Sequence, residues 1–209
     1  MWRYFAFDRN IGFLNGDATP ITIRGTQMQR LQRLFIIALF GAIIFVANIF
    51  LPPPINYLMI VVQAVLLALG ALFIRKVGAM YVGAVGGLLT ALISPTLGPL
   101  TFFFAFLYGA FVDAFLFIFK VKGERDGVNR NRLIAALTLS TLLIAVTTYS
   151  VFAVIPQSED IARFTYLGLF LQRSPMLDML VLFMGPATGA TAGYAAAYLW
   201  NKYLRHISV

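Results

Sequence analysis

The segment Leu34–Leu51, LFIIALFGAIIFVANIFL, decides the fold, because it runs for 18 residues without a charged side chain. A transmembrane helix needs about 20 predominantly apolar residues to cross the hydrocarbon core of a bilayer. Arg30 and Arg33 precede the segment, and the three prolines at 52–54 end it, since proline cannot continue a helix. We therefore predict a membrane-spanning helix over this segment.

Five further apolar runs of similar length follow in a chain of 209 residues. The composition is 60% hydrophobic and only 11% charged, whereas soluble domains carry about 25% charged residues. Helices are the simplest way for such runs to satisfy their own backbone hydrogen bonds in lipid. We predict an all-α integral membrane protein, a bundle of six transmembrane helices at about 34–51, 55–74, 77–94, 100–119, 133–155 and 177–200.

The distribution of basic residues sets the orientation of these helices. With the N-terminus in the cytoplasm, 14 of the 16 Lys and Arg residues fall on the inner side, and only Arg163 and Arg173 fall outside. We predict a multi-pass protein of the cell membrane with both termini cytoplasmic. Its parts are an N-terminal arm at 1–30, a membrane domain at 31–203 and a tail at 204–209. The net charge of +8 reflects this topology and predicts no nucleic-acid partner.

Few residues have the chemistry of a catalytic or metal site. The chain has no cysteine and one histidine, His206, and it shows no nucleotide-binding loop, zinc motif or serine triad. We predict no metal, no cofactor and no enzymatic activity. Asp113 is the one carboxylate inside a predicted span, apart from Asp178 at the junction of the outer connection with the sixth span, and this makes Asp113 a functional hypothesis. It either carries chemistry, as in a membrane enzyme, or faces the bundle, protonated or paired with an Arg or Lys at the inner rim.

Small residues recur at four-residue spacing in three of the predicted spans. Residues at i and i+4 share a helix face, and small side chains let two helix backbones approach closely. In the third and sixth spans this spacing favours packing within the bundle. In the first span, packing and a docking surface for another protein are both open. The small residues are Ala38, Gly41 and Ala42 in the first span, Ala79, Gly83, Gly87 and Ala91 in the third, and Gly185, Gly189, Gly193 and Ala197 in the sixth.

Polar and aromatic residues gather in the predicted outer half of the helix bundle. Together they are typical of the lining of a small-molecule pocket, although interfacial tyrosines and loop polarity explain each one singly. Arg173 is the candidate partner for an anion, because a guanidinium can hold a carboxylate with two hydrogen bonds. The connection at 156–176 contains a possible short surface helix at 161–172. The candidate substrate-binding residues, which we call the outer mouth, are Asn48, Gln63, Tyr108, Thr148, Tyr149, Gln157, Gln172 and Arg173.

The span pattern and three segments resemble the substrate-binding S component of an energy-coupling factor (ECF) vitamin transporter. The segments are Ala38-x-x-x-Ala42, YVGAVGGLLTALISPTLGP at 81–99 and GPATGATAGYAAAYLW at 185–200. The resemblance implies that Ala38 and Ala42 dock a transmembrane T-like subunit coupled to two cytoplasmic ATPases, which would hydrolyse the ATP. It also implies capture of a small vitamin-like solute at the outer face and its release inside.

A structural role is the alternative reading of the same features. The chain would then be an accessory integral subunit of a larger membrane complex, or a scaffold similar to the MreD cell-shape protein, with no ligand of its own. The small-residue faces would be permanent interfaces, and the outer polar residues would be incidental. The two readings differ in whether ATPases and a ligand accompany the protein.

Overall fold

The computed structural model describes residues 21–50, 55–74, 77–93, 98–123, 127–154 and 175–204. These ranges hold six α-helices and no β-strand, so the predicted all-α class is confirmed for them. The helices are α1 (Ile21–Phe50), α2 (Ile55–Ile74), α3 (Gly78–Ile93), α4 (Gly98–Ile118), α5 (Arg130–Val154) and α6 (Pro175–Leu199), and a π-helical turn at Trp200–Leu204 continues α6.

The helix bounds agree closely with the predicted spans, except at the start of α1. That helix begins at Ile21, so its first ten residues belong to the segment that the sequence assigned to a separate arm. Pro20 directly precedes the helix, and proline suits a helix start because it needs no partner for a missing N–H. At 1.5 Å per residue, the 30 residues of α1 extend about 45 Å. The prolines at 52–54 and 95 and the segment 161–172 lie outside the described residues.

Glycines allow two antiparallel pairs of helices to approach closely. These pairs are α3 with α4 and α5 with α6. A β-carbon on Gly87 would lie 2.8 Å from the Ala105 side chain, and one on Gly193 would lie 2.7 Å from the Ile134 Cα. Contacts this short would force the backbones apart. The small residues of the third and sixth spans therefore serve packing within the chain, as the sequence favoured.

The centre of the core is α2, which packs on α1, α3 and α6. Its Ala64, Leu67 and Ala68 have no solvent exposure. At one end of the bundle Trp200 is fully buried, edge-on to Phe73 with 5.0 Å between ring centroids. We call this the Trp200 end; α2, α4 and α6 finish there, and α3 and α5 begin there.

The outer surface of the bundle is strongly apolar. Two helical segments are long and apolar enough to cross a membrane, Pro99–Ile118 and Arg130–Val151, and only 22% of each is buried within the protein. The shorter apolar segments, Leu31–Ala47, Ile60–Ile74 and Gly78–Ile93, fall below the same length. Six spans were predicted, so the described residues support this prediction only for α4 and α5.

Candidate functional site

Asp113 of α4 caps the N-terminus of α3. Its carboxylate accepts hydrogen bonds from the backbone N–H of Met80 at 2.8 Å and of Ala79 at 3.2 Å. These amides belong to the first turn of α3, where N–H groups have no partner within the helix. A negative charge there also interacts favourably with the helix dipole. Among the described residues the partners of Asp113 are thus backbone amides. Arg75 and Lys76, at the predicted inner rim, lie outside those residues, so the predicted pairing with an Arg or Lys stays a prediction.

The residue before α3 explains why a cap from another helix is needed. Val77 stands at the position where Ser, Thr, Asp or Asn commonly caps a helix, and its side chain has no hydrogen-bond acceptor. Its φ of 50° lies in the left-handed region, which β-branched residues rarely adopt. Asp113 supplies the missing acceptor from 34 residues away in sequence. The arrangement ties α4 to the start of α3 at the Trp200 end.

The outer mouth is only partly within the described residues. Gln157, Gln172 and Arg173 lie outside them, and so does the side chain of Asn48. The other four are spread over three helices: Gln63 on α2, Tyr108 on α4, and Thr148 and Tyr149 on α5. The pocket that these eight residues would form therefore stays a prediction.

Tyr108 is the member of this set with the most informative environment. Its ring belongs to the main core cluster and is 5% exposed. Its hydroxyl is buried and has no hydrogen-bond partner among the described residues. A buried hydroxyl without a partner costs free energy, so native structures rarely contain one. This group can therefore donate to or accept from a bound molecule or a residue outside the described ranges.

The small residues of α1 divide between its inner and outer faces. Gly41 is buried against α3, where an added β-carbon would lie 2.6 Å from Val85 Cγ1. Ala38 is exposed and Ala42 is half-buried. Of the three predicted docking residues, Gly41 is therefore used in internal packing, Ala42 is partly covered and Ala38 is exposed. The remaining exposed face of α1 continues through Leu31, Leu34 and Phe35, which are 62–68% exposed.

A groove that the sequence analysis missed lies at the Trp200 end, between the start of α5 and the end of α6. It has a volume of about 440 Å³ and is lined by Arg130, Tyr194, Ala197, Tyr198, Asn201 and Lys202. A signal for it is present in the sequence: Tyr194 and Tyr198 are four residues apart on α6, Arg130 lies at the start of α5 and Lys202 lies just after α6. In the sequence, these basic residues predict only the orientation of the helices.

Comparisons with known proteins add no assignment to this geometry. No family model, curated protein or solved structure matches the chain. Among the described residues no three His, Cys, Asp or Glu side chains come together as a metal site. The resemblance to ECF S components therefore depends on the sequence segments quoted above, and function has to be argued from the helices themselves.

Proposed function

We propose that this chain is a six-span membrane domain that acts as the substrate-binding subunit of an ECF-type importer. The membrane part of the proposal is supported by the outward-facing surface of the bundle. Phe117, Leu92 and Phe183 are 70–84% exposed, and soluble proteins rarely expose large contiguous apolar patches. Lipid is the solvent that accommodates such a surface. The Trp200 end, with Lys120, Lys122, Arg130, Arg132 and Lys202, then faces the cytoplasm.

The exposed face of α1 is the observation that carries the transport part of the proposal. Leu31, Leu34, Phe35 and Ala38 have i, i+3, i+4 and i+7 spacing, which places them on one helix face. A small residue amid larger apolar ones gives a second helix a place to approach closely. Among the three small-residue patterns, only that of α1 retains an exposed member in this position. This is the face by which an S component would dock its T-like subunit.

Substrate binding is supported by Tyr108. Its buried hydroxyl offers one hydrogen bond to a polar ligand inside an otherwise apolar bundle, the composition usual for small-molecule sites. We expect Tyr108→Phe to weaken ligand binding without lowering stability, because the lost hydroxyl has no partner among the described residues. The effect of Tyr149→Phe on ligand binding and stability is measured for comparison, because Tyr149 is the second tyrosine of the outer mouth.

Purification from native membranes in mild detergent, followed by mass spectrometry, tests the proposal. A T-like membrane subunit with two ATPases, or a vitamin-sized ligand, is the expected company of the wild-type protein. Ala38→Trp should lose the T-like subunit, whereas Ala114→Trp should keep it, since Ala114 is an exposed alanine of α4. Recovery of other membrane subunits, with neither ATPases nor ligand, would favour the structural alternative.

A further inference from the structure

Two hydrogen bonds join the two sides of the groove between α5 and α6. The Asn201 side chain accepts from the Val128 N–H at 2.7 Å and donates to the Val128 carbonyl at 3.2 Å. These bonds attach the residues before α5 to the π-helical turn after α6. The α5 side and the α6 side of the groove are therefore linked by contacts within the protein itself.

Arg130 lines the groove and contacts the ring of Tyr194 there. Its guanidinium carbon lies 4.0 Å from the ring centroid of Tyr194, a cation–π contact. This contact uses none of the five N–H donors of the guanidinium, whose fork matches phosphate oxygens. Arg130 is exposed, so these donors are accessible from the groove.

Lys202 also lines the groove and contacts two tyrosines. Its Nζ donates to the Tyr198 hydroxyl at 2.6 Å and lies 5.1 and 5.2 Å from the ring centroids of Tyr198 and Tyr203. Hydrogen bonds with Tyr198 and then Tyr203 raise the pKa of Lys202, so the ammonium group stays charged at neutral pH. An ammonium has three donors, so the bonds to the two tyrosines leave one for a ligand.

The charge and position of the groove identify a ligand class. The described residues that line the groove include two cations, Arg130 and Lys202, and no carboxylate. The N-terminus of α5, at Arg130, adds the positive end of a helix dipole. Exposed tyrosines line the wall, as they do at membrane interfaces. We propose that this groove binds the phosphate of an anionic phospholipid from the cytoplasmic leaflet, with Arg130 and Lys202 as its hydrogen-bond donors.

This assignment rests on the membrane placement proposed above, and it does not depend on transport. Basic pockets between helices on the cytoplasmic side are general sites for anionic headgroups. A free phosphate would offer the same oxygens, so the experiment has to separate the two sources. The lipid is distinguished by its acyl chains, which would extend along the apolar helix surfaces beside the groove.

Native mass spectrometry of the full-length protein in detergent tests the assignment with phosphatidylglycerol, phosphatidylcholine and inorganic phosphate. Wild-type protein should bind phosphatidylglycerol more tightly than phosphatidylcholine of the same chain length. Arg130→Gln and Lys202→Gln should each weaken phosphatidylglycerol binding about tenfold, the value of one charge-assisted hydrogen bond. Arg132→Gln is the matched control, since it removes an exposed charge two residues away on α5 that does not line the groove.

Three results would overturn the assignment. They are equal binding of the two lipids by the wild-type protein, equal loss in Arg132→Gln, and displacement of the lipid by inorganic phosphate at the same concentration. The first and third need no variant, so they hold if a variant fails to fold. Release of the protein from native membranes by alkaline carbonate would instead contradict the membrane placement.

Discussion

The cap that Asp113 places on α3 makes a quantitative prediction about stability. Asp113→Ala removes the acceptor of the Ala79 and Met80 N–H groups, and Val77 cannot replace it. Losing an N-cap acceptor costs about 0.5–2 kcal/mol. The upper end applies here, because two amides lose the same half-buried carboxylate as their acceptor. We expect a loss of about 2 kcal/mol, and about half of that for Asp113→Asn, which keeps one oxygen acceptor but loses the charge.

Thermal unfolding in detergent measures this effect. The fluorescence of Trp200, which is fully buried, reports the loss of packing at the end of the bundle where the cap lies. For a chain of this size, 2 kcal/mol corresponds to a fall in Tm of about 4–8 °C. Thr147→Ala is the control, because its exposed hydroxyl bonds only the Leu143 carbonyl of its own helix. An unchanged Tm in Asp113→Ala would refute the cap, and loss of ligand or partner binding at unchanged Tm would give Asp113 a direct functional role.

Three further predictions concern helix packing. Gly189→Ala should destabilise the protein by about 1–3 kcal/mol in chemical denaturation, because its β-carbon would meet the α5 backbone; an unchanged midpoint would contradict that. Gly41→Trp should prevent folding. Ala38→Trp should give a protein that is monodisperse by size exclusion and has the wild-type Tm by calorimetry. The opposite result would mean that Ala38, and not Gly41, faces α3. Asn201→Ala should increase hydrogen exchange at Val128, whose N–H loses its acceptor, and unchanged exchange would contradict that role.

The helices could be predicted from the sequence because apolar length is a local property. The bounds of α2 at Ile55–Ile74 are those of the predicted span, and α3 to α6 differ from theirs by a few residues at most. Helix α1 begins at Ile21, 13 residues before the span predicted at 34–51, because the charged residues at 24–33 bound the predicted span and not the helix. Charge marks where a helix leaves lipid, whereas the helix itself continues until its backbone is interrupted.

The surroundings of Asp113 could be predicted only in part. A lone carboxylate in an apolar segment marks a special position whatever its role. Its partners are backbone amides of α3, and side-chain charge patterns contain no information about backbone amides on another helix. The groove near Arg130 was missed for a related reason, since Arg130 and Tyr194 are 64 residues apart in sequence and meet only when α5 packs on α6.

The division of small residues between packing and docking also required the structure. Spacing alone places Gly41 and Ala38 of α1 in the same pattern, yet one faces α3 and the other faces outward. A three-residue step leaves two side chains about 60° apart around a helix, which is enough for Gly41 to contact α3 while Ala38 lies at the exposed edge of the same side. Only the position of α3 distinguishes an internal contact from an available surface.

A photo-crosslinking residue at position 38 tests the central claim most directly, with the same residue at position 114 as the control. Both positions are exposed alanines on apolar helices, so both meet lipid if no partner is present. In native membranes we expect position 38 to crosslink to a multi-span T-like subunit of a complex that also contains two ATPases, and position 114 to give no such product. Equal labelling at both positions, or crosslinking from position 38 to lipid alone, would contradict the account.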